Sequence, residues 1–321
     1  LNSARRPSLA ELARRIDAVD ASAALADIAA CALRHALALA TRDLAANHGT
    51  PGEGFLIVGY GSLGARELGF GSDLDLVFVF DETLGERSSD GARPLEALRW
   101  FPRLAQRVLH WLATTTQAGN LYDVDMRLRP DGAKGLPVSS LASFADYQRE
   151  RAWLWEHQAL LRARAVAGPD AFVSRFDAVR AAVLSQSRDA VQVFAEVGRM
   201  RERWRTELDR STTERFDLKQ GRGGLVDIEF LLQALVLAHA REHPSLCASG
   251  RTTDVIEALH AADVLDAESR AVLLRNHQEC LSRALDCSLD LRPRVIARDA
   301  DLTVWTDATA AILKRFGLPS G

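Results

Sequence analysis

Two aspartates separated by one leucine, Asp73 and Asp75, open the apolar run LDLVFVF and follow the glycine-rich segment GYGSLGARELGFGS. In an extended strand both carboxylates point to one face, while Leu74 and Leu76 point to the other. Like charges held side by side repel, and a divalent cation between them relieves that cost. Backbone N–H groups of the adjoining turn, with the Ser62 hydroxyl, suit the oxygens of a polyphosphate. The stretch Phe55 to Phe80 therefore reads as strand, phosphate-gripping turn and metal-binding strand.

A second charged pattern bears on the same chemistry. Leu121 to Arg129, LYDVDMRLR, alternates apolar and charged residues as a half-buried strand does, so that Asp123, Asp125, Arg127 and Arg129 share one face. An ordinary surface strand fits this pattern equally well. Laid beside Asp73 and Asp75, however, it would add a third carboxylate, Asp125, and two guanidinium groups able to grip a polyphosphate. Magnesium prefers such hard oxygen donors, and two ions bridged by aspartates suit in-line displacement at phosphorus.

The elements that must position these groups follow from periodicity. Gly59 to Gly64 also matches the G-x-G-x-x-G dinucleotide fingerprint. The spacing opposes that reading, because Ala65 to Ser72 is too short for a crossover helix and carries Gly69 and Gly71. Two strands flanking a small helical turn fit better. Upstream, Leu9 to Ala46 predicts helix, in two pieces broken near Asp20 to Ser22. Leu95 to Thr116 predicts another helix, kinked or started late by Pro102. Pro130 to Val138 predicts loop, and from Ser140 onward the pattern is almost wholly helical. The fold class is α+β: a helical segment over 1–50, a nucleotide-handling domain with a small mixed sheet over 51–167, and an all-α helical bundle over 168–321.

Composition narrows the function classes. With 321 residues, 47% hydrophobic and 26% charged, the chain has the make-up of a soluble globular protein and ample core. A net charge of -3 provides no global basic field for nucleic acid. The alanine-rich stretch Ala23 to Ala40 contains Asp27, Arg34 and His35, which argues against a membrane span. Cys31, Cys247, Cys280 and Cys287 lack C-x-x-C spacing, consistent with reduced thiols in the cytoplasm. The start at Leu1, without a signal peptide, suggests a piece of something longer.

Gly61-Ser62, then Asp73-Leu74-Asp75, then Asp125 on a later strand is the spacing of the polymerase-beta-like nucleotidyltransferases. The chain further resembles bacterial glutamine synthetase adenylyltransferase. The likeness rests on Gly59 to Gly64, Glu67-Leu68-Gly69, Ser72 to Leu76 and Val124 to Pro130. It continues through Tyr147-Gln148-Arg149, Trp153 to Leu160 and Arg162-Ala163-Arg164, and resumes at Phe216 to Lys219 and Gly223 to Phe230. Two positions depart from the family pattern, where Lys often replaces Ser62 and Gly often replaces Ala65. The stretch WLWEHQAL is similar to the adenylylating half of that two-half family.

The resemblance implies transfer of AMP from ATP to a tyrosine of glutamine synthetase, with pyrophosphate released. It implies that Asp73, Asp75 and Asp125 hold two Mg2+ ions, that Gly61 and Ser62 hold the β and γ phosphates, and that a metal-held aspartate such as Asp125 is a candidate base. Glutamine and the PII signal protein are the regulators it implies. Rival readings are the AMP-removing half, working by phosphorolysis, and an inactive nucleotide-binding module. Arg127 and Arg129 either grip the nucleotide or are solvated strand-end arginines; Lys219 either meets a phosphate or belongs to a glycine turn opening the helix Leu225 to Ala240. His157 reads as a core histidine or a ligand, Trp153 and Trp155 as core, and Asp227 and Glu229 as first-turn carboxylates favoured by the helix dipole.

Overall fold

The computed structural model describes residues 17–115, 117 and 119–319. Its centre is the antiparallel pair β1 (Phe55–Gly59) and β2 (Leu74–Phe80), registered from Phe55 opposite Phe80 to Gly59 opposite Leu76. The long helix α1 (Ala18–His48) precedes them. Asp17 caps it by accepting the Val19 N–H at 2.8 Å, and Gly49, at φ +67°, ends it. The expected break at Asp20 to Ser22 is absent: Ser22 donates its hydroxyl to the Val19 carbonyl and the helix runs on. The expected start at Leu9 lies outside the described residues.

Between β1 and β2 the chain makes the single helical turn α2 (Gly61–Gly64), as the short spacing predicts. The helix α3 (Ala97–Ala113) then carries Pro102 inside it rather than at its start; Thr116, where the expected helix ends, lies outside the described residues. The strand expected over Leu121 to Arg129 shrinks to β3 (Val124–Asp125), since from Met126 the chain turns away. Only two residues therefore keep the anticipated alternation. β3 runs parallel to the start of β2, and β4 (Val138–Ser140) runs parallel to its end. The expected loop thus closes at Pro137, and Val138 already belongs to the sheet.

The remainder is mostly helical: α4 (Leu141–Glu150), α5 (Leu154–Leu161), α6 (Asp170–Leu184), α7 (Ala190–Leu208), α8 (Leu225–His239), α9 (Thr252–Ala261), α10 (Ala267–Leu289) and α11 (Ala300–Arg315). Three short strands interrupt it. β5 (Arg164–Ala167) pairs antiparallel with β1 and completes the sheet order β3-β2-β1-β5. β6 (Arg215–Asp217) and β7 (Val295–Ala297) form a separate ribbon, so the half beyond residue 168 is not all-α. Three-residue strands carry almost no period, and the ribbon pairs segments some 80 residues apart, which local pattern cannot reveal.

Alternation along β1 and β2 divides the core. Phe55, Ile57, Leu74, Leu76, Phe78 and Phe80 face α1 and α3, where Phe101 stacks against Phe55 and Phe80 at centroid distances of 6.0 and 5.1 Å. Leu56, Val58, Val77 and Val79 face the other way and share one continuous core with the helices from α4 to α9. α1 is long and apolar enough to cross a bilayer, but its stripe of Ala26, Ala29, Ala30, Leu33, Ala36 and Ala40 is buried, with α3 and α10 packed against the helix. The four cysteines are free thiols, as their spacing predicts.

Phe101 is fully buried, so Phe101→Ala is expected to destabilise the fold by about 3–5 kcal/mol. Urea denaturation measures this; a loss below about 1 kcal/mol would mean that α3 does not clamp the sheet as described.

Candidate active site

The site begins with the turn. Gly61 adopts φ +53°, and a Cβ there would stand 2.6 Å from an Asp75 carboxylate oxygen. At Gly64 a Cβ would fall 1.9 Å from the Arg162 carbonyl, so only glycine lets the turn lie against the chain entering β5. The Tyr60 N–H donates to the Asp75 carbonyl at 2.9 Å, while Arg164 donates to the carbonyls of Leu63 and Gly64, each at 3.2 Å. The turn is thus tied to β2 on one side and β5 on the other. Gly61 and Ser62 remain partly exposed at its opening.

The aspartates lie beside it. Asp75 continues the face of Val77 and Val79, the face turned toward the helices, and its strand partner in β3 is Asp125. Burial raises the Asp75 carboxyl to about 6, with Asp73 and Asp125 adding repulsion and Lys219 and Arg127 opposing it. Asp73 is exposed. Asp125 takes the Arg127 N–H at 2.8 Å and its Nε at 2.7 Å; this bond to Arg127, against some burial, holds the carboxyl below its ordinary range. Among the described residues no three acidic, histidine or cysteine side chains already meet at metal-ligand spacing. The donor set nevertheless suits magnesium: hard oxygens on adjoining strands, one of them raised by burial and by carboxylate neighbours whose charge a divalent cation would neutralise. Arg127, exposed and paired to Asp125, now supplies positive charge at that edge.

Arg129 does not join this face. It donates to the carbonyls of Met126, Ala133 and Gly135 and holds the loop after β3, because the strand ends before its alternation reaches residue 129. Arg127 and Arg129 therefore differ: Arg127 bonds Asp125 directly, whereas Arg129 holds the loop and acts on Asp125 only through its charge.

Lys219 arrives from the helical half. It is exposed between the buried Leu218 and Gln220, and its charge is felt by Asp75. Its backbone is held by Asp217, whose Oδ1 accepts the N–H groups of Lys219 and Gln220 at 2.9 Å each. Beneath it Asp227, fully buried, accepts from Arg201, from Arg205 at 2.8 Å and from the Gly223 N–H at 2.6 Å. Arg201 also donates to the Gln220 carbonyl at 2.6 Å. Asp227 is accordingly more than a first-turn carboxylate: it is the anchor of the turn that presents Lys219. Truncating one partner of such a buried group costs about 3–5 kcal/mol.

Three further residues join the site's surroundings: Glu67 and Arg162, which stand in sequence motifs that give no hint of their partners, and His277, which the sequence does not mark. Glu67, just after the turn, accepts from Arg162 at 2.9 Å and from the Thr252 N–H at 2.7 Å, with His277 at 3.6 Å. Burial alone would raise the Glu67 carboxyl, but Arg162, His277 and Thr252 together hold it low. Arg162 also pairs with Glu229 at 3.5 Å and lies within electrostatic reach of Asp75. The motif Arg162-Ala163-Arg164 beside an apolar run marks two arginines without telling their partners. His157 is a core histidine: its Nε2 lies 2.8 Å from the Gln148 carbonyl and its Nδ1 3.1 Å from Arg188. Trp153, expected in the core, is 71% exposed, whereas Trp155 is half-buried; Glu156 instead turns back to the Trp153 N–H at 2.8 Å and receives the Tyr147 hydroxyl at 2.7 Å.

The same stretches are shared with known proteins. The family model described as glutamate-ammonia ligase adenylyltransferase matches residues 2–179, and one described as GlnD PII-uridylyltransferase matches residues 195–295. A protein of Xanthomonas campestris pv. campestris named bifunctional glutamine synthetase adenylyltransferase/adenylyl-removing enzyme is 52% identical over 308 residues, covering 96% of this chain and 33% of that protein. Proteins of the same name from Stenotrophomonas maltophilia (52% identical; 90% of this chain, 31% of that protein) and Pseudomonas syringae pv. tomato (42%; 92% and 32%) are also similar. The chain spans about a third of the length of the curated relatives it matches.

The cluster around Glu67 makes stability depend on acidity. Burial holds His277 below its ordinary pKa, against the pull of Glu67. A depressed pKa gives stability that is present above the unfolded value of about 6.5 and is lost as pH falls through the folded value. The drop in urea midpoint between about pH 7 and 5 is therefore expected to be shallower in His277→Gln than in the parent. Equal slopes would remove His277 from the acid response.

Proposed function

Because the chain belongs to the glutamate-ammonia ligase adenylyltransferase family, we propose that it moves AMP from ATP to a tyrosine hydroxyl of glutamine synthetase, releasing pyrophosphate. The observation that carries this reading is the register of Asp75 with Asp125 beside the Gly61–Gly64 turn, with the charge of Lys219 acting on Asp75. A nucleotide triphosphate needs a cradle, a divalent counter-charge and a cation at its leaving end. Each has a candidate here.

In this reading Gly61 and Ser62 hold the β and γ phosphates, and Lys219 meets the charge that develops on the departing pyrophosphate. Arg127 leaves Asp125 to contact phosphate as the triphosphate enters. Asp73, Asp75 and Asp125 would hold Mg2+. When bound, the metal neutralises the triphosphate and favours in-line attack at the α-phosphorus. Asp125, whose carboxyl Arg127 holds low, is the candidate acceptor of the tyrosine proton. Arg164 and Glu67 keep the turn from drifting away from the carboxylates, so the attacking oxygen and phosphorus meet in a narrow range of geometries. Regulation by glutamine and by a PII signal protein belongs to the same family reading.

Incubation with labelled ATP, magnesium and glutamine synthetase is expected to label tyrosine. Asp75→Asn should lower the rate about 100- to 1,000-fold, and Lys219→Met about tenfold or more. Release of ADP from adenylylated glutamine synthetase and phosphate, without labelling of the plain enzyme, would assign the AMP-removing, phosphorolytic reaction instead. An unchanged rate in Asp75→Asn would take the carboxylates out of the mechanism.

A further inference from the structure

The glycine turn has a second side. A cleft of about 470 Å³ opens behind it, between Gly64 and Ala65, the entry to β5, α6, and the connector from Pro244 to Arg251 with the first turn of α9. None of Asp73, Asp75 and Asp125 lines it. Its charged lining is Arg66, Arg164, Arg180 and Arg251, against Asp177 and Asp254.

Four arginines thus face two aspartates within the lining, and Arg66 and Arg251 also meet acids outside it. Arg180, 5% exposed, donates to the carbonyls of Leu160 at 3.0 Å, Cys247 at 2.6 Å and Leu161, with no carboxylate in contact among the described residues. Carbonyl dipoles satisfy its N–H groups, and Asp177, three residues back on α6, offsets its charge without direct contact. Arg164 reaches two carbonyls of the turn in the same way, and burial, with repulsion from Arg66, destabilises its charged form. The Nε of Arg251 is buried with no partner, while its Nη2 lies 3.3 Å from the Val19 carbonyl and 3.7 Å from a carboxylate oxygen of Asp20, an exposed acid outside the cleft lining. Of the acids, Asp254 accepts the Ser249 hydroxyl at 2.9 Å, and Arg66 is paired with Asp27 outside the cleft lining.

We infer that this cleft binds a small organic anion bearing carboxylate or phosphate groups, held by Arg251 and Arg164 with Arg180 supplying charge from below. Guanidinium forks match both kinds of oxyanion, and the volume is that of a small-molecule pocket rather than a single-ion hole. Asp177 and Asp254 disfavour a dense polyanion, which keeps the class to one or two anionic groups. An anion that draws Arg164 toward itself alters the hold on the Leu63 and Gly64 carbonyls, so occupancy changes ATP affinity. That coupling rests on the nucleotide reading of the turn; the binding itself does not.

The test is calorimetric titration of the chain with succinate and with glycerol 3-phosphate, without nucleotide and again with saturating ATP. At least one probe is expected to bind one-to-one with a Kd below about 1 mM in both conditions, and the preferred probe identifies carboxylate or phosphate as the recognised group. Arg251→Met, checked for an unchanged far-UV dichroism spectrum, should weaken it about tenfold or more. The inference is overturned if neither probe binds at about 10 mM, if saturating ATP abolishes binding, or if Arg251→Met binds as the parent does. Failure to label glutamine synthetase would sink the nucleotide reading and leave this binding result standing.

Discussion

Carboxylate repulsion on one face of β2 is the constraint around which the molecule is arranged. Asp73, Asp75 and Asp125 are brought together by a parallel pairing only two residues long, and burial, with their repulsion added, raises the Asp75 carboxyl. Compensation comes from different depths of the chain: Arg127 from the same loop, Arg162 from the entry to β5, and Lys219 from the turn before α8. Each cation is itself held or offset. Arg162 is locked to Glu67 and Glu229, and Lys219 rides on a turn pinned by Asp217 and Asp227. The polar residues thereby form a graded structure, with fully buried pairs beneath and solvent-facing charges at the rim.

The apolar residues serve the same end. One face of β1 and β2 is closed by α1 and α3 through stacked phenylalanines, which leaves the opposite face free to carry both the acids and the contact with the helices. A strand buried on both faces reads as a continuous hydrophobic run, and LDLVFVF is such a run interrupted only by the acid. Placing a charge there is tolerable because Asp75 sits at the strand's start, where water and neighbouring cations still reach it.

What the sequence revealed depended on range. The Phe55–Phe80 unit was legible because its apolar alternation, its glycines and its short connection are all local signals. The strand bearing Asp125 was legible in position but not in length: the pattern DVDMRLR keeps its alternation after the backbone has turned, so Arg129 looked like a site residue when its donors belong to the loop. Short strands such as Arg164–Ala167 and the ribbon Arg215–Asp217 with Val295–Ala297 escaped because their pairing is non-local. Buried pairs, among them Glu67 with Arg162 and Asp227 with Arg201, escaped for the same reason. Single residues report charge, whereas partnership needs coordinates.

The shared apolar mass that joins Leu56, Val58, Val77 and Val79 to the helices also limits motion. Two bodies linked by a polar seam can swing apart cheaply, but parting these would expose tightly interlocked methyl and aromatic groups to water. The strand that bears Asp75 and the helix α8 that follows the lysine's turn are consequently carried on a single stiff frame. Whatever breathing the pocket needs to admit and discharge its contents must come from swivelling of long side chains at the rim, not from jaws.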